Sequence, residues 1–296
     1  MANLKRADFA IKSYARKLDE TQVAQLEFFR TLWAEQAAIA EELAPGYVAP
    51  DDDAVKALSK RKTPLLRAYP LVIEAETIVQ AAARMARVLC EAGGYPADAC
   101  RAIAGIDWEH AAKASACYAG SEPETCLEAA YNALAETGTD EAVLQVAVSA
   151  LSLGLRALLE PASAAVMKAR DRAEVAMQHP IQCPTCGCGA TIALVGASSG
   201  ASGGSRQLFC TQCGTTWDFD RIRCARCGTR NQGRLHYHHL GGDDTHRIHT
   251  CDECGGYIRT VFQEDIFAPL SPDVEDVVMA RLDAVAQQIV SKGSAD

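Results

Sequence analysis

The chain has 296 residues, of which 49% are hydrophobic and 23% charged, and its formal net charge is −9 at pH 7. This length is sufficient for two domains or for one large domain with an appendage. The acidic balance argues against a protein that is drawn to nucleic acid by charge alone. No run approaches the ~20 apolar residues of a membrane span, so we expect no stable membrane insertion.

The first residues and the cysteine content together predict a cytoplasmic protein. Residues 1–20 carry five basic side chains among mixed polar residues, whereas a secretory signal peptide needs an apolar central region. The chain contains thirteen cysteines. In a reducing compartment such cysteines are thiols or metal ligands rather than disulfides.

Residues 1–179 are predicted to form a helical bundle. Their alanine-rich sequence has a helical period, and the predicted helices cover residues 20–43, 71–92, 97–106, 108–119, 123–136 and 140–177. Thr139 can cap the last of these helices, and Pro161 is expected to kink or restart it. The pattern indicates six or seven helices in all.

After His179 and Pro180 the composition changes to cysteine, glycine, arginine and β-forming residues. Strands are predicted over residues 191–195, 207–209, 215–219, 235–240, 245–250 and 257–262. The glycine- and serine-rich residues 196–205 are expected to form a hairpin tip. Ser271 and Pro272 then begin a last helix, which we expect to run to about residue 290.

One arrangement of cysteines occurs twice in this second part, with the same spacing. The first copy is Cys183-Pro-Thr-Cys186, 23 residues, and Cys210-Thr-Gln-Cys213; the second is Cys224-Ala-Arg-Cys227, 23 residues, and Cys251-Asp-Glu-Cys254. A glycine follows each pair and permits the positive φ that turns the chain away from a metal. Two C-x-x-C pairs at this separation supply four thiolates for one tetrahedral ion. The sequence therefore predicts two metal sites.

Other uses of paired cysteines fit the pattern less well. Disulfides need an oxidising compartment, a thioredoxin-type motif needs one reactive pair at a helix N-terminus, and common iron–sulfur spacings differ from this one. Sequential pairing would join the first two pairs in one site, whereas a cross-brace would interleave the first pair with the third. The repeat favours sequential pairing because a duplicated unit closes on itself. Iron and zinc both accept four thiolates, so spacing does not decide the metal.

The cysteines and histidines outside this pattern are interpreted as structural. Cys188 reads as a free cysteine, and the cysteines of the helical part read as small core residues. Five histidines crowd the second copy: His236, His238, His239, His246 and His249. Because eight thiolates leave no ligand missing, we interpret these histidines as solvated strand positions rather than a third site.

Five arginines form a basic cluster around the third cysteine pair: Arg221, Arg223, Arg226, Arg230 and Arg234. Over residues 183–267, eight arginines face eight acidic residues, so a solvated surface of mixed charge is the simplest interpretation. The alternative is a docking patch for an acidic protein partner. Nucleic acid is disfavoured because the stacking aromatics and basic excess of single-strand binders are missing.

The sequence contains no motif that predicts catalysis. There is no G-x-S-x-G, no phosphate-cradling glycine loop before a helix and no H-E-x-x-H. A four-thiolate site is coordinatively closed and offers no position to a substrate. We therefore predict that the protein is not an enzyme.

The predicted fold class is α+β: a mainly helical N-terminal domain, two tandem rubredoxin-like or zinc-ribbon β modules and a C-terminal helix. The predicted boundaries are residues 1–179 for the bundle, 180–221 and 222–267 for the two ribbons, and 268–296 for the last helix and tail.

This organisation resembles the formate dehydrogenase accessory protein family of bacteria. The specific part is the run from Cys183-Pro-Thr-Cys186-Gly187 to Cys251-Asp-Glu-Cys254-Gly255, whose eight cysteines match the family motif one for one. Cys188 and the tip at residues 196–205 depart from it. The resemblance implies a cytoplasmic maturation factor that binds the catalytic subunit of a respiratory, molybdenum-dependent formate dehydrogenase before or during export. It also implies rubredoxin-like ribbons that hold iron.

Two other functions stay open on the residues alone. One is a rubredoxin-like electron-transfer protein, in which bound iron changes oxidation state. The other, less favoured, is a zinc-ribbon protein that binds nucleic acid, which would show steep salt dependence.

Overall fold

The computed structural model describes residues 4–175, 179–196, 206–263 and 270–293. Within these residues, nine helices precede the ribbons. They are α1 (Leu4–Tyr14), α2 (Glu20–Leu43), α3 (Asp52–Lys60), α4 (Leu65–Ala68), α5 (Ala75–Gly93), α6 (Ala97–Ala104), α7 (Trp108–Ala119), α8 (Pro123–Glu136) and α9 (Glu141–Arg172). The predicted helical bundle is confirmed, but with nine helices in the described residues rather than the six or seven predicted.

The long helix α9 is the centre of the bundle, and α2, α5 and α8 pack around it. It is continuous through Pro161, so of the two predicted effects of this residue the restart does not occur, and the kink stays a prediction. A proline inside a helix costs about 3 kcal/mol, and the burial of α9 among its neighbours offsets this cost. Its N-cap is Asp140, whose carboxylate accepts from the backbone N–H of Ala142 at 2.9 Å, rather than Thr139 as predicted.

Helix α5 begins at Ala75 rather than at residue 71 as predicted. Leu71 lies outside the helix, and its N–H donates to the carbonyl of Gly120, 3.1 Å away. This bond ties the chain before α5 to the end of α7. A tertiary contact thus replaces the first helical turn that periodicity predicts.

The ribbon region forms a single sheet. Its strands are β1 (Ile192–Val195), β2 (Arg206–Phe209), β3 (Thr216–Phe219), β4 (Leu235–Leu240), β5 (Asp243–Cys251) and β6 (Gly256–Phe262). Their order is β3-β2-β1-β6-β5-β4. The two ribbons join through β1 and β6, which are parallel and in register from Ile192 opposite Arg259 to Val195 opposite Phe262. The other pairs are antiparallel.

The two faces of this sheet have different coverings because side chains alternate along each strand. Ile192 and Leu194 lie in one apolar cluster with Met279 and Leu282. Ala193 belongs instead to the main core that extends into the bundle. The sheet is therefore packed between the bundle and the C-terminal segment.

The C-terminal segment contains two helices, α10 (Pro272–Val278) and α11 (Arg281–Gly293), where the sequence predicts one. The break follows from packing: Met279 is fully buried, α10 contacts α2, and α11 contacts β5 and β6. A straight helix could not reach both surfaces.

Helix α9 is long and apolar enough to cross a membrane by length and composition alone. However, 56% of its most apolar 18-residue window is buried inside the protein, as in a core helix.

The main apolar core is continuous across the predicted boundary near residue 180, since it contains Leu155 and Leu158 of α9 together with Cys183 and Cys210. The domain boundaries themselves stay a prediction. Of the tip predicted at residues 196–205, residues 197–205 lie outside the described residues. The long helix was predicted to run to residue 177, but α9 ends at Arg172.

Candidate metal centres

All four C-x-x-C pairs have the same local backbone geometry. In the first two, the N–H groups of Gly187 and Gly214 donate to the carbonyls of Cys183 and Cys210 at 2.9 and 2.8 Å. The second ribbon repeats these bonds from Gly228 to Cys224 and from Gly255 to Cys251, at 3.0 and 2.9 Å. The four glycines have φ values from 64° to 85°. The predicted positive φ after each pair is confirmed.

The eight sulfurs lie in two groups of four, which follow the sequential pairing. The first cluster is Cys183, Cys186, Cys210 and Cys213, and the second cluster is Cys224, Cys227, Cys251 and Cys254. Within each cluster the sulfurs lie within 4.8 Å of one another.

The distances between sulfurs fit tetrahedral coordination. The Sγ atoms of Cys183 and Cys213 are 3.6 Å apart, and those of Cys224 and Cys254 are 3.8 Å apart. A metal–sulfur bond of about 2.3 Å places tetrahedral sulfurs about 3.8 Å apart, whereas a disulfide needs about 2.05 Å. Each cluster can therefore hold one tetrahedral ion.

The first cluster is buried in the main core, and the bundle holds both of its cysteine loops. The N–H groups of Leu65 and Leu66 each donate at 3.0 Å to carbonyls of the first loop, on Pro184 and Thr185. On the second loop, the Thr215 hydroxyl lies 2.6 Å from Ser163 Oγ of α9 and 3.1 Å from Cys213 Sγ. A hydroxyl this close to a thiolate can donate to it and reduce its charge.

Arg156 of α9 connects the first cluster to the C-terminal helices. Its Nη1 donates to the Thr211 carbonyl at 2.9 Å and lies 2.7 Å from the Asp273 carboxylate in α10. Burial lowers the pKa of Arg156 because it disfavours the charged guanidinium. The negative charges of Asp273 and Glu160 have a larger opposite effect, so the pKa of Arg156 is raised. This pair could not be predicted from the sequence, because its two residues are 117 positions apart in the chain.

The second cluster is half exposed. Cys224 and Cys251 are buried, whereas Cys227 and Cys254 are exposed. The backbone N–H groups of Arg226 and Cys227 point at Cys224 Sγ, at 3.3 and 3.4 Å. Burial raises the pKa of Cys224, but these two N–H groups and neighbouring thiols outweigh it and lower the pKa. The two clusters thus share a fold but differ in access to solvent.

Cys188 is buried against the first cluster rather than elsewhere in the ribbon. Its carbonyl accepts from the N–H of Cys183 at 2.9 Å. Hydrogen bonds with the Cys186 and Cys210 thiols lower the pKa of Cys188 to about 6, against the effect of burial. The cluster has four sulfurs without it.

The sequence predicted that the five histidines are solvated, and this is not true of all of them. His236 and His239 are exposed, whereas His246 is buried. Its Nδ1 lies 2.9 Å from Asp243 and its Nε2 lies 3.0 Å from Glu275 of α10. Burial disfavours the imidazolium, but the two carboxylates outweigh it and raise the pKa of His246. Both ring nitrogens are used, so His246 joins β5 to α10.

The five arginines of the predicted basic cluster differ in their contacts. Arg223 and Arg230 both pair with Asp220, and Arg223 also donates to the carbonyl of His179 at 2.8 Å. Arg226 donates to the carbonyl of Tyr257 at 3.0 Å. Arg221, Arg226, Arg230 and Arg234 are exposed, and Arg223 is half-buried. The role of this cluster in binding a partner stays a prediction.

The fold and these clusters define a class of protein: a helical bundle that carries a double four-cysteine ribbon joined in one sheet. The crystal structure of the FdhE protein from Pseudomonas aeruginosa has a similar fold, with a TM-score of 0.59 over 96% of this chain and 90% of that one, at 19% identity. No protein-family model matches the chain.

The sequence is also similar to those of FdhE homologs, but over a shorter segment. The FdhE homolog of Aquifex aeolicus is 32% identical over 107 residues, which are 36% of this chain and 37% of that protein. The FdhE homolog of Shewanella oneidensis is 34% identical over 114 residues, or 38% and 34% of the two chains. The chain thus spans about a third of the length of the curated relatives it matches.

These matches confirm the resemblance predicted from the cysteine pattern. The chain is FdhE-like, in sequence over about a third of its length and in fold over nearly all of it.

Proposed function

We propose that this protein is an accessory factor in the maturation of a respiratory, molybdenum-dependent formate dehydrogenase. It acts in the cytoplasm and binds the catalytic subunit before or during export. The observation that carries this proposal is the pair of closed four-cysteine clusters on an FdhE-like fold. The resemblance to the formate dehydrogenase accessory protein family supplies the target.

We propose further that the eight cysteines hold two metal ions, one in each cluster. Both iron and zinc suit the donor set and the sulfur distances, and the resemblance favours iron. Bound iron would add one-electron chemistry to a site that zinc would make purely structural. With four sulfurs around each ion, neither site has a position for a substrate, which supports a binding role rather than an enzymatic one.

The experiment that tests the function is an anaerobic pull-down with the tagged protein as bait and the formate dehydrogenase catalytic subunit as prey. We expect the subunit to be retained by the wild-type protein and not by an unrelated protein with the same tag. If the subunit passes through in both cases, with both clusters shown to be loaded, the accessory-factor proposal is wrong.

The second candidate function is rubredoxin-like electron transfer, favoured by one observation. Cys227 and Cys254 are exposed, so an ion in the second cluster would lie near the surface, where a redox partner could approach. A visible absorption that bleaches with dithionite and returns in air would support this function. Colourless protein that contains only zinc would exclude it.

A further inference from the structure

An open groove of about 450 Å³ crosses the sheet face that carries Val195, Arg206 and Phe262. We call it the arginine groove and define it by Arg206, Arg221, Ile222, Tyr237, Arg247 and His249. Strand alternation explains how these residues meet. Tyr237 of β4 lies opposite His249 of β5 in the register, so both side chains point to one face, and Arg247 joins them two residues away.

The groove has positive charge without a counter-charge. Among the described residues, no carboxylate pairs with Arg206, Arg221 or Arg247. Arg206 is only 3% exposed, and its Nη1 donates to the carbonyl of Arg223 at 2.9 Å. Arg247 lies over the ring of Phe262, 3.8 Å from its centre. The Nε atoms of Arg206 and Arg247 are buried and without hydrogen-bond partners.

The other face of the same sheet is built differently. There Arg259 lies 3.1 Å from the carboxylate of Asp283 and also pairs with Asp276, and Arg281 pairs with Asp243. Removing charge from water without a partner is costly. In the groove, Arg206 is buried and Arg247 is half-buried, and neither has a carboxylate partner among the described residues, so a carboxylate from outside the chain would compensate them.

The groove also presents apolar surface to solvent. Ile222 and Tyr237 are 48% and 49% exposed. Tyr237 is held in place by an edge-on contact with His249, with ring centres 4.4 Å apart. Rigid aromatic and aliphatic groups beside arginine are the composition of protein-binding surfaces.

We propose that the arginine groove binds an acidic segment of a protein partner. Carboxylates of the segment face Arg221 and Arg247, and its apolar side chains pack on Ile222 and Tyr237. The identification of the partner as the formate dehydrogenase subunit rests on the proposed function. The binding of an acidic segment to the groove does not depend on it.

A nucleic acid fits the groove less well than a peptide. The chain carries a net charge of −9, which repels a long polyanion once it extends beyond the groove. Ile222 is a contact for an aliphatic side chain rather than a stacking platform for a base. A short segment with two or three carboxylates matches both the charge and the size.

The test uses the full-length protein and a fluorescein-labelled six-residue peptide of alternating glutamate and leucine, followed by fluorescence anisotropy. We expect saturable binding that is lost when glutamine replaces every glutamate of the peptide. Arg221→Gln and Arg247→Gln should each weaken binding about tenfold, as expected for one charge-assisted contact. Arg206 is left intact because it supports the backbone of the 220–223 loop.

Arg234→Gln is the matched control, since Arg234 is an exposed arginine of the same ribbon outside the groove. It should leave the peptide affinity within about twofold. Absence of binding, equal binding of the glutamine peptide, or equal losses in all three variants would overturn the proposal. Tighter binding of a 20-nucleotide thymidine oligomer, weakened by the same two substitutions, would overturn it in favour of nucleic acid.

The pull-down separates this proposal from the proposed function. If Arg221→Gln and Arg247→Gln retain the catalytic subunit as well as the wild type does, the groove is not its docking site and the accessory function stands. If the peptide binds but even the wild-type protein does not retain the subunit, the groove stands and the accessory function fails.

Discussion

Arg156 and Asp273 form a buried ion pair, with Nη1 and Oδ1 2.7 Å apart, that joins the central bundle helix to the C-terminal helices. The two residues are 4% and 8% exposed. Because Arg156 also holds the Thr211 carbonyl, the pair fixes one cysteine loop of the first cluster.

Asp273→Asn should therefore lower the free energy of unfolding by about 3 kcal/mol, since it leaves the buried Arg156 charge without its closest carboxylate. Urea denaturation followed by circular dichroism measures this loss. Asp8→Asn is the control, because Asp8 pairs with Arg30 at an exposed site and should cost less than about 1 kcal/mol. Equal losses in the two variants would show that the Arg156 pair has no special role.

The two clusters should differ in how they support the fold. Cys186→Ser in the buried cluster should lower the unfolding midpoint of the whole helical bundle, because the first cluster lies in the main core. Cys254→Ser in the half-exposed cluster should leave the bundle midpoint nearly unchanged. Thermal unfolding at 222 nm compares them.

A chelator should show the same difference in native protein. With excess EDTA, the ion of the second cluster should leave first, and the ion of the first cluster should leave only as the protein unfolds. Release of both ions at one rate would contradict the assigned difference in accessibility.

His246 should make stability depend on pH in the neutral range. Its pKa is raised in the folded protein, so its proton is held more tightly there than in the unfolded chain. The contribution is fully present below the unfolded pKa of about 6.5 and is lost as the pH rises through the folded pKa.

The stability difference between wild type and His246→Gln should accordingly be largest near pH 6 and shrink toward pH 8.5. Urea titrations across this range measure it. Thr245→Ala provides the control, because Thr245 is an exposed residue beside His246 with no ionisable side chain, and its difference from the wild type should not vary with pH. A wild-type advantage that grows with pH would have the wrong sign and would refute the assignment.

The close contact between the end of α7 and the chain before α5 should not tolerate a side chain. A Cβ on Gly120 would lie 1.7 Å from the Leu71 carbonyl oxygen, so Gly120→Ala must displace backbone and should cost about 3 kcal/mol or more. At Gly46 an added Cβ meets nothing within 4 Å, and Gly46→Ala should change stability by less than about 0.5 kcal/mol. Equal unfolding midpoints in the two variants would contradict the observed packing.

The sequence predicted the cysteine clusters and most element positions because these depend on local chemistry. The C-x-x-C spacing and the trailing glycines fix each loop within a few residues, and apolar periodicity fixes helices such as α2 and α7. Tertiary contacts decided the features that were missed. Leu71 is bonded to the Gly120 carbonyl instead of beginning α5, and His246 is buried where it contacts Glu275 of α10.

The arginine groove was missed for a similar reason. Its cations come from β2, β5 and the 220–223 loop, which meet only because β1 and β6 pair in parallel and unite the two ribbons. Adjacent arginines in the sequence suggested one basic patch instead. The sequence did contain one signal for the groove: Arg247 and His249 are two residues apart in a predicted strand, so their side chains lie on the same face of the sheet.

The central claim is that eight cysteines form two closed four-sulfur metal sites. Metal analysis combined with X-ray absorption, on freshly purified protein handled without oxygen, tests it most directly. We predict two ions per chain, each with four sulfur neighbours at about 2.3 Å. Fewer than two ions, cysteines oxidised to disulfides, or an ion with oxygen or nitrogen among its ligands would contradict it.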